Sequence, residues 1–218
     1  MPRGQASEYY EKIPYIRFPA VCRKEDPLTI LLRIYFLTGL IGHKLVWEML
    51  KRRRGAEAPE RHGPSRARQY IVKTVKIGVL LGIMAQTLVP AVLPIAGRSS
   101  FLPALGAAIY TLGLLTAVSA RIQLGRNWSN IETARVLSGQ AVVSGGIYRY
   151  IRHPIYTGDL LLLAGLELGL NSWLVAGLAL LAPIVIWKAL REEKMLAEGL
   201  PGYLDYCRQS KRFIPLII

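Results

Sequence analysis

Long apolar segments dominate this chain and leave few folds open to it. Leu28–Leu50, Tyr70–Ala96 and Leu102–Ala120 reach or approach the roughly 20 residues that cross about 30 Å of hydrocarbon. Ile155–Leu170 and Ser172–Trp187 are shorter and separated only by Asn171. Asn171-Ser172 is a turn signal, and no ordinary bilayer needs one helix as long as Ile155–Trp187. The last two segments therefore read as a helical hairpin. The expected fold is all-α, a polytopic membrane bundle of about five transmembrane helices.

Composition agrees. Apolar residues make up 52% of the 218, and the formal net charge is +14. A soluble chain that apolar and that basic is unusual, whereas apolar residues facing lipid and basic residues crowding the loops explain both. Residues 1–27 lack an apolar run, so Leu28–Leu50 is expected to act as an uncleaved anchor. Alternating the loops places Lys51–Arg68, Arg121–Arg152 and the tail from Lys188 on one side, with most of the Lys and Arg. That side is expected to be cytoplasmic, with the N-terminus outside.

Three regions follow: an interfacial segment over 1–27, three spans over 28–123, and a catalytic region with hairpin and tail over 124–218. Pro2–Pro27 alternates aromatic and charged residues, as an interface-lying segment would. Ala56–Arg68 reads as a polar linker, and Leu124–Gly146 as a cytoplasmic lid with Trp128 at the interface. Pro90 and Pro94 are expected to kink the second span near its outer end. Arg33 sits one turn into the first span and is expected to snorkel, while His43 and Lys44 are expected to face the bundle interior.

Several functions are disfavoured. Cys22 and Cys207 are too few and too far apart for a disulfide framework, and His43, His62 and His153 are too scattered for a structural metal. The basic run Lys51–Arg54 adjoins a span, so it reads as a topology determinant and anionic-lipid contact rather than a nucleic-acid site.

Two polar clusters carry the chemistry. Gly146–Gly158 packs Tyr, Arg and His against the start of an apolar run, and Arg191-Glu192-Glu193 follows one apolar segment later. A hairpin brings the two to the same side of the bilayer. Pro154 suits the first position of a helix, with His153 at its cap. Arg149 and Arg152 near that helix start attract an anion or carboxylate. Gly158 lets a flat group approach the backbone, and Tyr148, Tyr150 and Tyr156 offer ring faces to an aromatic or a cation. Glu192 and Glu193 supply acceptors for an ammonium or for ribose hydroxyls. S-adenosylmethionine uses all of these features. A salt-bridged anchor, Arg149 or Arg152 with Glu192 or Glu193, explains the same residues equally well.

The segment Leu124–Pro215 resembles the isoprenylcysteine carboxyl methyltransferases and, more loosely, the phospholipid methyltransferases. The resemblance rests on Leu124-Gly125-Arg126-Asn127-Trp128-Ser129, on Leu137, and on Ser144–Gly158 with its Arg152-His153-Pro154-Ile155-Tyr156-Thr157-Gly158 core. Glu192-Glu193, Leu196, Tyr203, Tyr206 and Arg212-Phe213-Ile214-Pro215 complete it. It implies an integral membrane enzyme binding S-adenosylmethionine in a cytoplasmic pocket lined by Tyr148, Arg152, His153, Pro154, Tyr156, Gly158, Glu192 and Glu193. It also implies a basic residue just before the Glu pair, Lys188 or Arg191, holding the acceptor's carboxylate. The acceptor is then hydrophobic, a prenyl-cysteine-like carboxylate or a lipid, and no nucleic acid is involved. Two readings compete: a membrane reductase of the sterol-reductase type using NADPH, and a non-catalytic membrane scaffold.

Overall fold

The computed structural model describes residues 26–53, 66–89, 92–96, 101–127 and 139–215. Most of the interfacial segment and of the Ala56–Arg68 linker lies outside these, as do Trp128 and the centre of the expected lid. The described residues form six α-helices: α1 Pro27–Arg53, α2 Arg66–Leu88, α3 Phe101–Leu124, α4 Pro154–Gly169, α5 Leu178–Gly199 and α6 Tyr203–Gln209. Short 3₁₀ turns lie at Gly125–Asn127, Gly146–Arg149 and Trp173–Gly177. The described residues hold no strand beyond isolated bridges.

The chain divides after Leu31. Before that point the described residues are the first turn of α1, where Asp26 accepts the Leu28 N–H on its carboxylate at 3.4 Å and the Thr29 N–H on its carbonyl at 2.9 Å. Everything below concerns the unit from Leu32 onward.

Among the described residues, four stretches are long and apolar enough to cross a membrane: Pro27–Arg52 of α1, Tyr70–Leu88 of α2, α3, and Trp173–Gly199. The protein is a polytopic membrane helical bundle. Helix α4, with 16 residues, is about 24 Å long at 1.5 Å per residue, short of a full hydrocarbon crossing. Large apolar side chains of α2, among them Ile71, Val75 and Val79, are more than half exposed, as lipid-facing positions should be.

Helices α3 and α4 form the closest pair, and small residues explain it. Gly106, Tyr110, Gly113 and Ala117 on α3 recur at four, three and four residues, as do Gly158, Leu162, Gly165 and Gly169 on α4. Each series lies along one helical face. Gly106 faces the Gly169 and Gly165 backbone, Gly113 that of Leu162 and Gly158, and Gly165 that of Tyr110. Lipid offers little hydrophobic drive for helices to associate, so close backbone approach supplies the packing instead. Helix α1 joins this pair through Phe36, which packs edge-on to Tyr110 at 4.9 Å and accepts the Tyr110 hydroxyl on its carbonyl at 2.7 Å. Phe36, Leu40, Tyr110, Leu162 and Leu166 make the buried core.

The second span ends earlier than its apolar run. Helix α2 stops at Leu88, and Pro94 lies in an isolated antiparallel bridge to Ser172 rather than in a kinked helix. Val89 precedes a proline, which disfavours further helix. Ile95 N–H donates to Asn171 O at 3.0 Å and Trp173 N–H to Leu93 O at 2.8 Å, so the α4–α5 turn is tied to the segment after α2. Asn171 makes that turn with φ of 54°, a conformation asparagine tolerates better than most residues.

Several polar side chains inside the spans approach one another or a helix end. Gln86 donates to Glu167 at 2.7 Å near this turn. Arg33 reaches the Leu88 carbonyl, an unpaired end of α2, at 3.5 Å. His43 is half-buried, with Nε2 3.3 Å from Asp159 Oδ1. Lys44, expected inside with it, is exposed.

Candidate functional site

Proline in the first turn starts α4 immediately after His153, as the sequence predicts, but the His153 side chain makes no capping bond. Its ring is instead held away from the backbone, stacked on Tyr156 at 5.5 Å and packed against Phe213 at 5.6 Å. Phe213 is there because the chain returns after α6. Ile151 and Lys211 form a parallel bridge, Arg152 N–H donates to Lys211 O at 2.7 Å, and His153 N–H to Arg212 O at 3.0 Å. The Thr157 hydroxyl adds a bond to Phe213 O at 3.1 Å. Arg212-Phe213-Ile214-Pro215 stood out in the sequence through the resemblance, but its return onto the start of α4 was not legible there.

The two adjacent glutamates do different things. Glu193 accepts from Arg152 Nε at 2.9 Å and from Arg212 Nε at 3.0 Å, and lies 3.2 Å from His153 Nε2. Arg152 also donates to the carbonyls of Cys207, at 3.0 Å, and of Ser210. Its side chain is 9% exposed and that of Glu193 12%, so this is a desolvated clamp joining the start of α4, α5 and the strap. Glu192 faces elsewhere. It accepts the Tyr156 hydroxyl at 3.2 Å and lies 3.7 Å from His153 Nδ1. Site and anchor were competing readings of these residues: Arg152 and Glu193 make an anchor, and Glu192 lies outside it.

Glu192 opens onto a cavity of about 240 Å³. One wall carries Tyr148, Arg152, His153, Pro154, Tyr156 and Asp159, a second Lys188, Glu192, Leu196 and Leu200, and a third Val142, Val143, Tyr203 and Tyr206. Trp47 of α1 and Lys76 of α2 reach in from the membrane helices, and Asn127 and Gln140 close another side. Burial holds the Tyr148 and Tyr203 phenols well above their ordinary range and pushes Tyr206 up to about 12. All three are therefore neutral hydrogen-bonding rings at any physiological pH. Tyr206 uses its hydroxyl to fix Tyr148, donating to the Tyr148 carbonyl at 2.7 Å.

Of the positions singled out from sequence, Tyr148, Arg152, His153, Pro154, Tyr156, Lys188 and Glu192 line this cavity, and Glu193, Gly158 and Arg191 do not. Gly158 is corrected: a Cβ there would sit 2.5 Å from Ala117 N, so its missing side chain admits α3 and not a ligand. Gly158→Leu is accordingly expected to break the α3–α4 contact. The cost lies at the upper end of the about 1–3 kcal/mol typical of overpacking, or beyond it, because the clash is with backbone. Thermal unfolding in detergent checks this, and an unchanged midpoint would contradict the contact. Arg191 is exposed and lies over the Trp187 ring at 5.2 Å, on another face of α5. Tyr150 and Arg149 are exposed as well. Trp47, Lys76 and Asp159 line the cavity without having been singled out for it, because nothing local in a span marks which residue meets a distant loop.

A helical membrane protein with a polar, aromatic-walled cavity beside its spans is the class that fold and site define. Residues 101–200, from the start of α3 to the end of α5, match the model of the phospholipid methyltransferase family. It is 29% identical over 112 residues to a protein-S-isoprenylcysteine O-methyltransferase of Schizosaccharomyces pombe, covering 49% of this chain and 46% of that one. It is 32% identical over 115 residues to the cobalt-zinc-cadmium resistance protein CzcN of Cupriavidus metallidurans, covering 49% of each. The chain spans about half the length of the curated relatives it matches. Among solved structures, the eukaryotic intramembrane Ras methyltransferase ICMT aligns with a TM-score of 0.48 at 22% identity, over 71% of this chain and 55% of that one.

Proposed function

We propose that this chain is a membrane methyltransferase that binds S-adenosylmethionine in the cavity and methylates a hydrophobic, lipid-like acceptor. The observation that carries the reading is the separation of the two glutamates. Glu193 is neutralised by Arg152 and Arg212, which leaves Glu192, steadied by Tyr156, as a carboxylate turned toward the space. A donor with an ammonium, ribose hydroxyls and an adenine ring fits one open carboxylate among Tyr148, Tyr203 and Tyr206.

When bound, S-adenosylmethionine supplies an already activated methyl group, so the protein's part is placement and exclusion of water. Glu192 would hold the donor's polar groups, with His153 keeping Glu192 and Tyr156 in register. Lys188, on the cavity side of α5, is the basic residue placed to meet the acceptor's head or the donor's carboxylate. Trp47 of α1 and Lys76 of α2 put the cavity next to lipid-facing helices, a route for an apolar acceptor. The crowding of Lys and Arg in the same loops as the site favours a cytoplasmic orientation.

Titration calorimetry of the detergent-purified chain with S-adenosylhomocysteine, and in parallel with NADPH, tests this. Micromolar binding of S-adenosylhomocysteine alone is expected. Binding of NADPH alone would replace the reading with a reductase, and binding of neither by folded protein would leave a scaffold.

A further inference from the structure

The methyl-transfer reading leaves Arg191 without a task, and the face of α5 it occupies is not the cavity face. Leu180, Ile184, Trp187, Arg191 and Lys194 recur at four, three, four and three residues, which is one side of a helix, and all five are exposed. Leu180 is 78% exposed and Ile184 and Trp187 56% each, so the apolar half of this face lies against hydrocarbon. Ala189, Glu192 and Leu196 lie on the opposite side, buried or half-buried.

The ends of the span fix the depth of Arg191. Exposed tryptophans stand near both, Trp173 beside the Asn171 turn and Trp187 toward the far end. The 3₁₀ turn and the first part of α5 separate them by at most about 24 Å, at 2.0 and 1.5 Å per residue. Tryptophan collects at the two membrane–water boundaries, so Trp187 marks the second of them. Arg191 lies about 6 Å beyond it along the helix and Lys194 about 10 Å, at the level of lipid headgroups. The Arg191 guanidinium sits over the Trp187 ring at 5.2 Å. Stacking engages its flat face and leaves the rim of N–H donors, which fits two phosphate oxygens at once. Among the described residues neither Arg191 nor Lys194 has an acidic partner. Glu193 is taken by Arg152 and Arg212, and Glu192 is turned to Tyr156. Glu198, the next acidic residue on this face, is about 10 Å further from the bilayer than Arg191.

We infer that the Trp187–Arg191–Lys194 face of α5 binds an anionic phospholipid, at a site separate from the donor cavity. Its acyl chains lie along Leu180 and Ile184, its glycerol beside Trp187 and its phosphate on the rim of Arg191. Lys194 selects for net charge. A phosphatidylcholine headgroup brings its own cation to two basic side chains and finds no carboxylate at that level to hold it, whereas phosphatidylglycerol brings only the negative charge. The inference stands whether or not the cavity transfers methyl groups.

Native mass spectrometry of the detergent-purified full chain, titrated with phosphatidylglycerol or with phosphatidylcholine of the same acyl chains, tests it. The wild type is expected to take its first phosphatidylglycerol about tenfold more tightly than its first phosphatidylcholine. Arg191→Ala should weaken that first phosphatidylglycerol by about tenfold, the loss of one charge-assisted contact, and Lys194→Ala by about fivefold. Arg191→Lys separates a built site from diffuse attraction. Lysine keeps the charge but cannot lie flat on the indole and serve two oxygens, so it should recover only part of the affinity. Lys51→Ala, which removes an exposed charge from the end of α1, should leave the first affinity within about twofold. In vesicles, brominated phosphatidylglycerol should quench tryptophan emission more than brominated phosphatidylcholine, and Trp187→Phe should abolish the difference. Equal affinity for the two lipids, no loss in Arg191→Ala, full recovery in Arg191→Lys, an equal loss in Lys51→Ala, or a quenching difference that survives Trp187→Phe would each overturn the inference.

Discussion

Glu192→Gln is expected to raise the dissociation constant for S-adenosylhomocysteine by about 10- to 100-fold while leaving the protein folded. Glutamine keeps the shape and still accepts the Tyr156 hydroxyl that Glu192 accepts at 3.2 Å, so the wall survives. What disappears is the negative charge. A charge-assisted hydrogen bond is worth about 1.5–3 kcal/mol, and each 1.4 kcal/mol is tenfold in affinity. Glu192 is the one member of the acidic pair that lines the cavity, so no neighbour on α5 replaces it. Arg191→Ala is the matched control: one residue away, exposed and over Trp187, it should leave affinity within about twofold. Calorimetry on the three proteins decides. Equal affinity in wild type and Glu192→Gln would mean that the donor does not sit against this wall.

The difference between Glu192 and Glu193 shows what a sequence can and cannot yield here. That the Tyr-Arg-His cluster should meet the Glu pair followed from two apolar segments joined by a turn residue, and Asn171 does make that turn. Which glutamate faces the cavity depends on the rotation of α5. Successive helical residues point about 100° apart, and α5 is apolar over its first turns and polar over its last, so no stripe reveals its rotation. Gly158 misled for a related reason. An absent side chain looks the same in sequence whether a ligand or another helix fills the space, and only the matching series on α3 assigns it to packing. That series could be read beforehand, as Gly106, Gly113 and Ala117 share one face. The end of α2 was also open to reading, because Val89-Pro90 disfavours helix, but a continuous apolar run hid it. The contributions of Trp47, Lys76 and Asp159 are long-range, and periodicity along a span carries no information about them.

Removing one partner of the clamp should be the most damaging polar substitution in the chain. Arg152→Ala leaves Glu193, 12% exposed, facing Arg212 and His153 alone, and strips the Cys207 and Ser210 carbonyls of their donor. Breaking a buried ion pair by deleting one member typically costs about 3–5 kcal/mol, because the remaining charge stays desolvated. That is a large part of the stability of a domain. The strap is the element expected to release first, since it loses its side-chain hold through Arg152 and keeps the backbone bonds between Tyr150–His153 and Lys211–Arg212, the Thr157 bond to Phe213 and the Arg212–Glu193 pair. Loss of the strap takes Phe213 off the His153 ring and frees the ring from its stack, so donor affinity should fall together with stability. This distinguishes the clamp from Glu192, whose loss should cost affinity alone. Arg152→Lys separates geometry from charge. Lysine retains the charge but has no planar fork to serve Glu193 and two carbonyls at once, so it should recover only a minor share. Protease sensitivity of the C-terminal tail, read beside the unfolding midpoint and the S-adenosylhomocysteine affinity, tests the order of events. A tail that stays protected in Arg152→Ala would show that the strap is held by packing and not by this clamp.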